Sequence, residues 1–294
     1  MPLAVAALCG DGEEARGGAR SNACGDSAAI SWAPTAPLEG TLFRVRVSRI
    51  PAGTTLSGDV AGEALHFTRD SSALPFESLA AVPIEPRDSL AITVHCGDDA
   101  RADTLRAWLV ATRGEYPIER LRVAPNFGRE PDSALAARTR RESERAAAVA
   151  VSSHETPRLW TEPFLRPRDS RITSGFGGGR EFNGTITSRH MGTDFAGAVG
   201  APVRAANRGV VRIVDSFYYG GNVVYVDHGF GLTSAYLHLS RQLVAEGDTV
   251  ERGQAIGRVG ATGRVTGPHL HLIVRYGRVT VDPLSLLPAA AGDR

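Results

Sequence analysis

Two short stretches constrain this chain more than anything else in it: Gly267-Pro268-His269-Leu270-His271 and His190-Met191-Gly192-Thr193-Asp194. Residues two apart on a β-strand face the same way, roughly 6–7 Å apart along the chain. An apolar strand that spends two such positions on imidazoles gives up packing. The usual compensation is a metal ion, a proton-transfer task, or both. His190 and Asp194 add a nitrogen and an oxygen. Two or three nitrogens plus a carboxylate oxygen, with a position left for water, is the donor set of a catalytic zinc site. His190 and Asp194 are four apart, roughly 13 Å on a straight strand, so Met191-Gly192-Thr193 must curl, and Gly192 permits it. Spacing alone does not say whether His269 and His271 both ligate or one stands beside the ion.

Composition narrows the class. Hydrophobic content of 42% and charged content of 22% over 294 residues suit a soluble globular protein with real cores. A net charge of +1 leaves no electrostatic footprint for nucleic acid, and all 33 basic residues are arginine. No run approaches 18 apolar residues, so no transmembrane span is expected. The apolar stretch Leu3 to Leu8 lacks a basic flank and reads as the remnant of a secretory leader. Cys9 follows Leu8, a poor context for lipidation. The three cysteines match no metal motif, and a Cys24–Cys96 disulfide is compatible with the sequence but not fixed by it.

In chain order, residues 1–35 read as leader remnant and flexible tether. Residues 36–124 alternate with period two, as in Phe43-Arg44-Val45-Arg46-Val47 and Leu90 to Val94, between Gly- and Asp-rich turns. That pattern predicts a β-sandwich. His66 and His95 stand isolated there. Residues 125–158 hold a connector: an Ala- and Arg-rich helix capped by Asp132 or Ser133, burying little and bridging two domains, with Glu142 and Glu144 on a solvated face. His154 receives no role. Residues 159–290 form a Gly-rich, all-β antiparallel domain that holds five of the eight histidines. The fold class expected is therefore all-β, with a short connector helix between sandwich and C-terminal domain.

His238, in Ala235-Tyr236-Leu237-His238-Leu239, is a site candidate because four other candidates share its domain. His228, at a turn, reads as structural. Asn183, Thr185 and Arg180 lie in a polar loop before His190 and are expected to line a substrate groove, with Tyr236 as a further substrate contact.

Four stretches then occur in order: Ser174-Gly175-Phe176-Gly177, His190 to Asp194, Tyr236-Leu237-His238-Leu239, and Gly260-Ala261-Thr262-Gly263 through His271. Together they resemble the M23 family of zinc peptidases, the lysostaphin and LytM type, over about residues 159–288. The upstream β-sandwich resembles the Ig-like domain of some bacterial members. The resemblance implies an antiparallel sheet with one zinc ion on the floor of a groove, held by His190, Asp194 and His271. His238 and His269 would be unligated histidines acting on water and transition state. It further implies cleavage of peptidoglycan peptides by an endopeptidase and an extracytoplasmic location, in the periplasm or cell envelope, lipid-anchored or secreted. Cell-wall or divisome partners would meet the N-terminal domain. The rival expectation is a latent or non-catalytic protein on the same fold that binds the wall or regulates an amidase.

Overall fold

A computed structural model describes residues 23–288 except Ser72, Arg87, Asp88, residues 98–102, Gly128, Arg129 and Thr185, and the side chains of Ile186 and Thr187. Cys9 and the leader stretch lie outside the described residues, as does Thr185.

Eight strands come first: β1 (Ala29–Ala33), β2 (Leu42–Ser48), β3 (Leu56–Val60), β4 (Glu63–Ala64), β5 (Phe76–Ala81), β6 (Leu90–Cys96), β7 (Asp103–Leu109) and β8 (Ile118–Leu121). Seven of them form an antiparallel sheet β1-β2-β5 packed on a second, β4-β3-β6-β7. Alternation sorts the side chains: Phe43, Val45 and Val47 of β2 meet Ile92 and Val94 of β6 in one core. Two features differ from expectation. β1 lies inside the stretch read as tether, because its five residues are too few to show a period. β8 leaves the sandwich altogether and pairs with a strand of the C-terminal half. Cys24 and Cys96 form a disulfide with 5.1 Å between Cα atoms, tying the start of the described chain to the end of β6.

The helix α1 (Ser133–Ser152) is capped by Asp132, whose carboxylate accepts from the Leu135 amide. It does not stand free. Ala146 and Ala150 are buried, and Ala146 packs on Ile213, Phe217, Val223, Tyr225, Ala235 and Leu237. Small side chains let the helix lie close against the sheet, so alanine here marks proximity, not exposure. Glu142 is anchored too, accepting from Arg138 and from the Tyr218 amide.

The remaining strands are β9 (Ile172–Ser174), β10 (Gly179–Phe182), β11 (Ile186–Arg189), β12 (Thr193–Ala196), β13 (Pro202–Arg204) and β14 (Gly209–Phe217). After these come β15 (Gly221–Gly229), β16 (Leu232–Gln242), β17 (Thr249–Val250), β18 (Ala255–Val259), β19 (His269–Tyr276) and β20 (Val279–Val281). The main sheet runs β17-β14-β15-β16-β19-β12-β9, with β18 on β16 and β20 on β19. β19 has two faces. Leu270, Leu272, Val274 and Tyr276 enter the main core, and Ile273 packs under α1 on the other side. His269 and His271 share the side of Ile273, so neither displaces a core residue.

The two halves are joined. Leu42 and Ala81 of the sandwich belong to the C-terminal core, and the Tyr276 hydroxyl donates to Ala64 O at 2.7 Å. His66 is not isolated: its Nε2 lies 2.8 Å from His154 Nδ1, and His154 Nε2 lies 3.0 Å from Glu63 Oε2. His66 also stacks on Phe230. Burial, with His154 beside it, pushes its pKa down to about 4. His154 therefore bridges the halves, a role no local pattern announced.

Two stability predictions follow from these contacts. The disulfide closes a loop of 72 residues, worth about 4 kcal/mol by chain entropy, so reduction should lower the thermal midpoint markedly. A melt with and without reductant tests this. His228 is fully buried between Arg208 O and Ser234 Oγ. Burial lowers its pKa to about 4, against partial opposition from the Arg208 carbonyl and Asp227. Between about pH 6.5 and 4 the unfolded chain takes up a proton that the folded one does not. Stability should therefore fall across that window as pH drops, with a shallower slope in His228→Asn, as read by denaturant titration at several pH values.

Candidate metal centre

Strand pairing builds the site. β12 runs antiparallel to β19 with Asp194 directly opposite His271. These cross-strand partners meet on the face away from the core, with Asp194 Oδ1 2.6 Å from His271 Nδ1. His190 arrives from the bend before β12, its Nε2 3.1 Å from Asp194 Oδ1 and 3.0 Å from His271 Nδ1. All three residues are buried, and their ligand atoms lie within 4.8 Å of one another, close enough to hold one metal ion.

Gly192 serves a purpose beyond the curl expected of it. Its φ is not in the left-handed region, but a Cβ there would lie 2.6 Å from His271 Cε1 and 2.5 Å from Leu272 O. The bend needs glycine because the chain passes directly over the His271 ring.

His238 reaches the site through a bulge in β16. Tyr236 pairs with Val224 and Leu239 with Asn222, so Leu237 and His238 together face Val223 alone. His238 takes φ 63° there, an uncommon conformation for a side-chain-bearing residue. Regular alternation would send Tyr236 and His238 to the same face. The bulge parts them: Tyr236 goes to the core and His238 to the side of the site histidines, its ring 4.9 Å from that of His269 and 5.8 Å from that of His271.

Tyr236 accordingly is no substrate contact. It is fully buried, and its hydroxyl accepts from the Ala206 amide at 2.7 Å and from Ser234 Oγ at 3.0 Å. Asn183 is exposed at φ 52°, but both ends of its amide are engaged by the Val123 backbone, at 3.0 and 3.1 Å. It fastens the segment after β8 to the β10–β11 turn and does not offer itself to a ligand. Arg180 lines the groove, yet its guanidinium is committed: Nη2 donates to Asp194 Oδ2 at 2.7 Å and to Ser174 Oγ at 3.0 Å, and Nε reaches Glu119 at 3.3 Å.

Hydrogen bonds fix three tautomers, since carbonyls only accept. His190 Nδ1 donates to Gly175 O at 2.6 Å, His238 Nδ1 to Thr262 O at 2.9 Å and His269 Nδ1 to Gly267 O at 2.8 Å. Each keeps Nε2 with its lone pair free of the backbone. Burial opposes the Asp194 charge, but its close contacts with His190 and His271 outweigh it and hold the carboxyl far below its usual range. Burial pushes His271 down to about 4 against the pull of Asp194. Burial pushes His238 to about 3, helped by repulsion from His271 and His269. An ionised carboxylate beside neutral imidazoles is the protonation state a divalent metal requires.

Ser174 and Glu119 complete the surroundings. Ser174 Oγ lies 3.1 Å from His190 Nδ1 and donates to Glu119 at 2.9 Å. Glu119 sits on β8, 61 residues before Arg180, and arrives because β8 pairs in parallel with β10. No spacing in the sequence signals it. Beside the cluster lies a cleft of about 710 Å³ that Asp194 and His269 line, with β8 as one wall and the loop from Arg264 to His269 as the other.

An antiparallel sheet with a buried His-Asp-His cluster on the floor of a cleft defines a metallopeptidase-type domain. Residues 188–283 match the family model of Peptidase family M23. The chain is 49% identical over 116 residues to peptidoglycan DD-endopeptidase ShyA of Vibrio cholerae, covering 37% of this chain and 26% of that one. It is 45% identical over 138 residues to ShyC of the same organism, covering 45% and 32%. The chain thus spans about a third or less of these curated relatives. A crystal structure from Pseudomonas aeruginosa, described as an M23 peptidase, superposes with a TM-score of 0.65 over 85% of this chain and 94% of that one. At 24% identity it shares the fold.

Gly192→Ala should weaken metal binding about tenfold or more by displacing the His271 ring, as loss of an orienting contact does elsewhere. Competition with a chromophoric chelator measures it, and unchanged affinity would show that the ring tolerates a Cβ.

Proposed function

We propose that this protein is a zinc-dependent endopeptidase that hydrolyses peptide cross-links or stems of bacterial peptidoglycan. The observation that carries the proposal is the convergence of His190, Asp194 and His271 with two further histidines, His238 and His269, whose rings lie 4.9 Å apart beside them. Three protein ligands from His and Asp suit zinc at a catalytic site. His190 Nε2, Asp194 Oδ1 and His271 Nδ1 would hold the ion, one per chain. Bound there, zinc would supply Lewis acidity and a water acidified towards neutral pH.

The remaining chemistry belongs to the chain. His269 presents Nε2 3.6 Å from Asp194 Oδ1 and is placed to take the proton of attacking water. His238, its ring 4.9 Å from that of His269, also keeps Nε2 unprotonated, and it would donate to the leaving amine after first accepting a proton released by the attacking water. Arg180 braces the non-ligating oxygen of Asp194, holding the carboxylate's orientation. A cleft of about 710 Å³ beside these groups accommodates an extended peptide, which favours a catalytic role over a latent one.

The peptidoglycan substrate is inferred from the DD-endopeptidase relatives. An extracytoplasmic location agrees with that substrate and with the Cys24–Cys96 disulfide, which persists in an oxidising compartment. No helix among the described residues is long and apolar enough to cross a membrane. The β-sandwich would position the groove wall through β8 and offer its outer surface to envelope partners.

Zinc stoichiometry on the purified chain, together with release of new amino termini from peptidoglycan sacculi, tests the proposal. One zinc per chain and new termini are expected. His190→Ala should lose both. His269→Ala should keep zinc and lose at least about a hundredfold in turnover. Zinc lost from His269→Ala would overturn its assignment as an unligated base, and no zinc in the wild type would overturn the whole.

A further inference from the structure

The cleft is lined by four arginines, Arg120, Arg171, Arg180 and Arg264, and two carboxylates, Glu119 and Asp194. Two of the cations are already matched. Arg180 bonds both carboxylates, and Arg120 pairs with Glu181 at 3.6 Å. Arg171 and Arg264 have no carboxylate partner among the described residues. Arg171 is exposed at the mouth, where water screens it.

Arg264 is different. Its guanidinium carbon lies 4.0 Å from the centroid of the Phe182 ring and 4.3 Å from that of Tyr219, which hold it between two aromatic surfaces. Its amide donates to Tyr219 O at 2.9 Å. The preceding Gly263, at φ 75°, lies so close to the Gly220–Gly221 turn that a Cβ would meet Gly221 N at 2.4 Å. The backbone that carries the cation is therefore fixed before any ligand arrives. Burial and the nearby Arg180 both press against its charge, with only tyrosine hydroxyls opposing. A half-buried cation without a counter-ion is costly to the folded chain. One that opens onto a substrate cleft, five residues before His269, has an occupant that would relieve the cost.

We infer that Arg264 is a specificity-determining residue that receives a free carboxylate of the peptide bound in the cleft, so that the preferred substrates carry an unamidated acidic group near the scissile bond. A planar guanidinium held by two rings keeps its outer N–H edge free and oriented, which suits bidentate recognition of a carboxylate. The inference rests on the peptidase proposal for its substrate and on the arginine's surroundings for its chemistry.

The test compares two probes on the zinc-loaded full-length protein. One is a cross-linked stem-peptide dimer with free carboxylates, and the other is the same dimer with those groups converted to amides. The wild type should favour the free acid by about tenfold or more in kcat/KM, chiefly through KM, as expected for a charge-assisted hydrogen bond. Arg264→Gln should bring that ratio to within about twofold of one. Arg264→Lys, which retains the charge but not the stacked plane, should keep a measurable part of it. A wild-type ratio near one, or a ratio unchanged in Arg264→Gln, overturns the inference. Should neither dimer be cut, the peptidase proposal fails, and the ratio of the two dissociation constants for the wild type and Arg264→Gln decides the carboxylate site by itself.

Discussion

Everything at the candidate site depends on one register: β12 against β19, with Asp194 opposite His271. Direct cross-strand partners on one face have Cβ atoms about 5 Å apart, so a carboxylate and an imidazole placed there must meet. A slip of one residue would turn both towards the core and put Phe195 and Leu270 in the cleft. Those two side chains are fully buried and hold the register from behind. The same hydrophobic pairing that stabilises the sheet thus sets the geometry of the donor atoms. The bend at Gly192 needs only to bring His190 over a pair already made.

The second determinant is an irregularity. The β16 bulge turns His238 towards His269 and His271 while leaving Tyr236 and Leu239 in the core. A residue held at positive φ costs of order 1–3 kcal/mol and persists only where its surroundings impose it. Here they do so with two hydrogen bonds, from the His238 amide to Gly220 O and from its ring to Thr262 O, both 2.9 Å. The turn that accepts the first bond also fixes the loop carrying Arg264, so one tight junction orients a histidine and a cation together.

Much of the architecture was legible because it is local. Alternation in Phe43 to Val47 and Leu90 to Val94 marks half-buried strands, and the concentration of five of the eight histidines in one Gly-rich region marks a cluster. Asp132 as a cap follows from its chemistry. What could not be read is where periodicity breaks or where the partner is remote. Tyr236 looked accessible because alternation carries no notice of a bulge two residues on. The alanine-rich face of α1 looked exposed because a small side chain serves equally for solvent and for close packing. Asn183 and Arg180 looked available because sequence lists polar groups without saying what already holds them. Glu119, His66 and His154 gave no signal, since each acts across a junction that only tertiary structure creates.

That junction bears on how such a protein is divided. β8 belongs by sequence to the N-terminal half, yet it extends the β10–β11 hairpin as a third strand and supplies the wall of the cleft. Its Glu119 holds Arg180, which holds Asp194. The boundary between the sandwich and the domain that carries the metal-site residues therefore does not fall between two sequence domains but along a strand shared by both. A recombination that exchanged the front half for another would also exchange part of the cleft and the support of a candidate ligand. Altering β8 would therefore retune the cleft without touching a histidine.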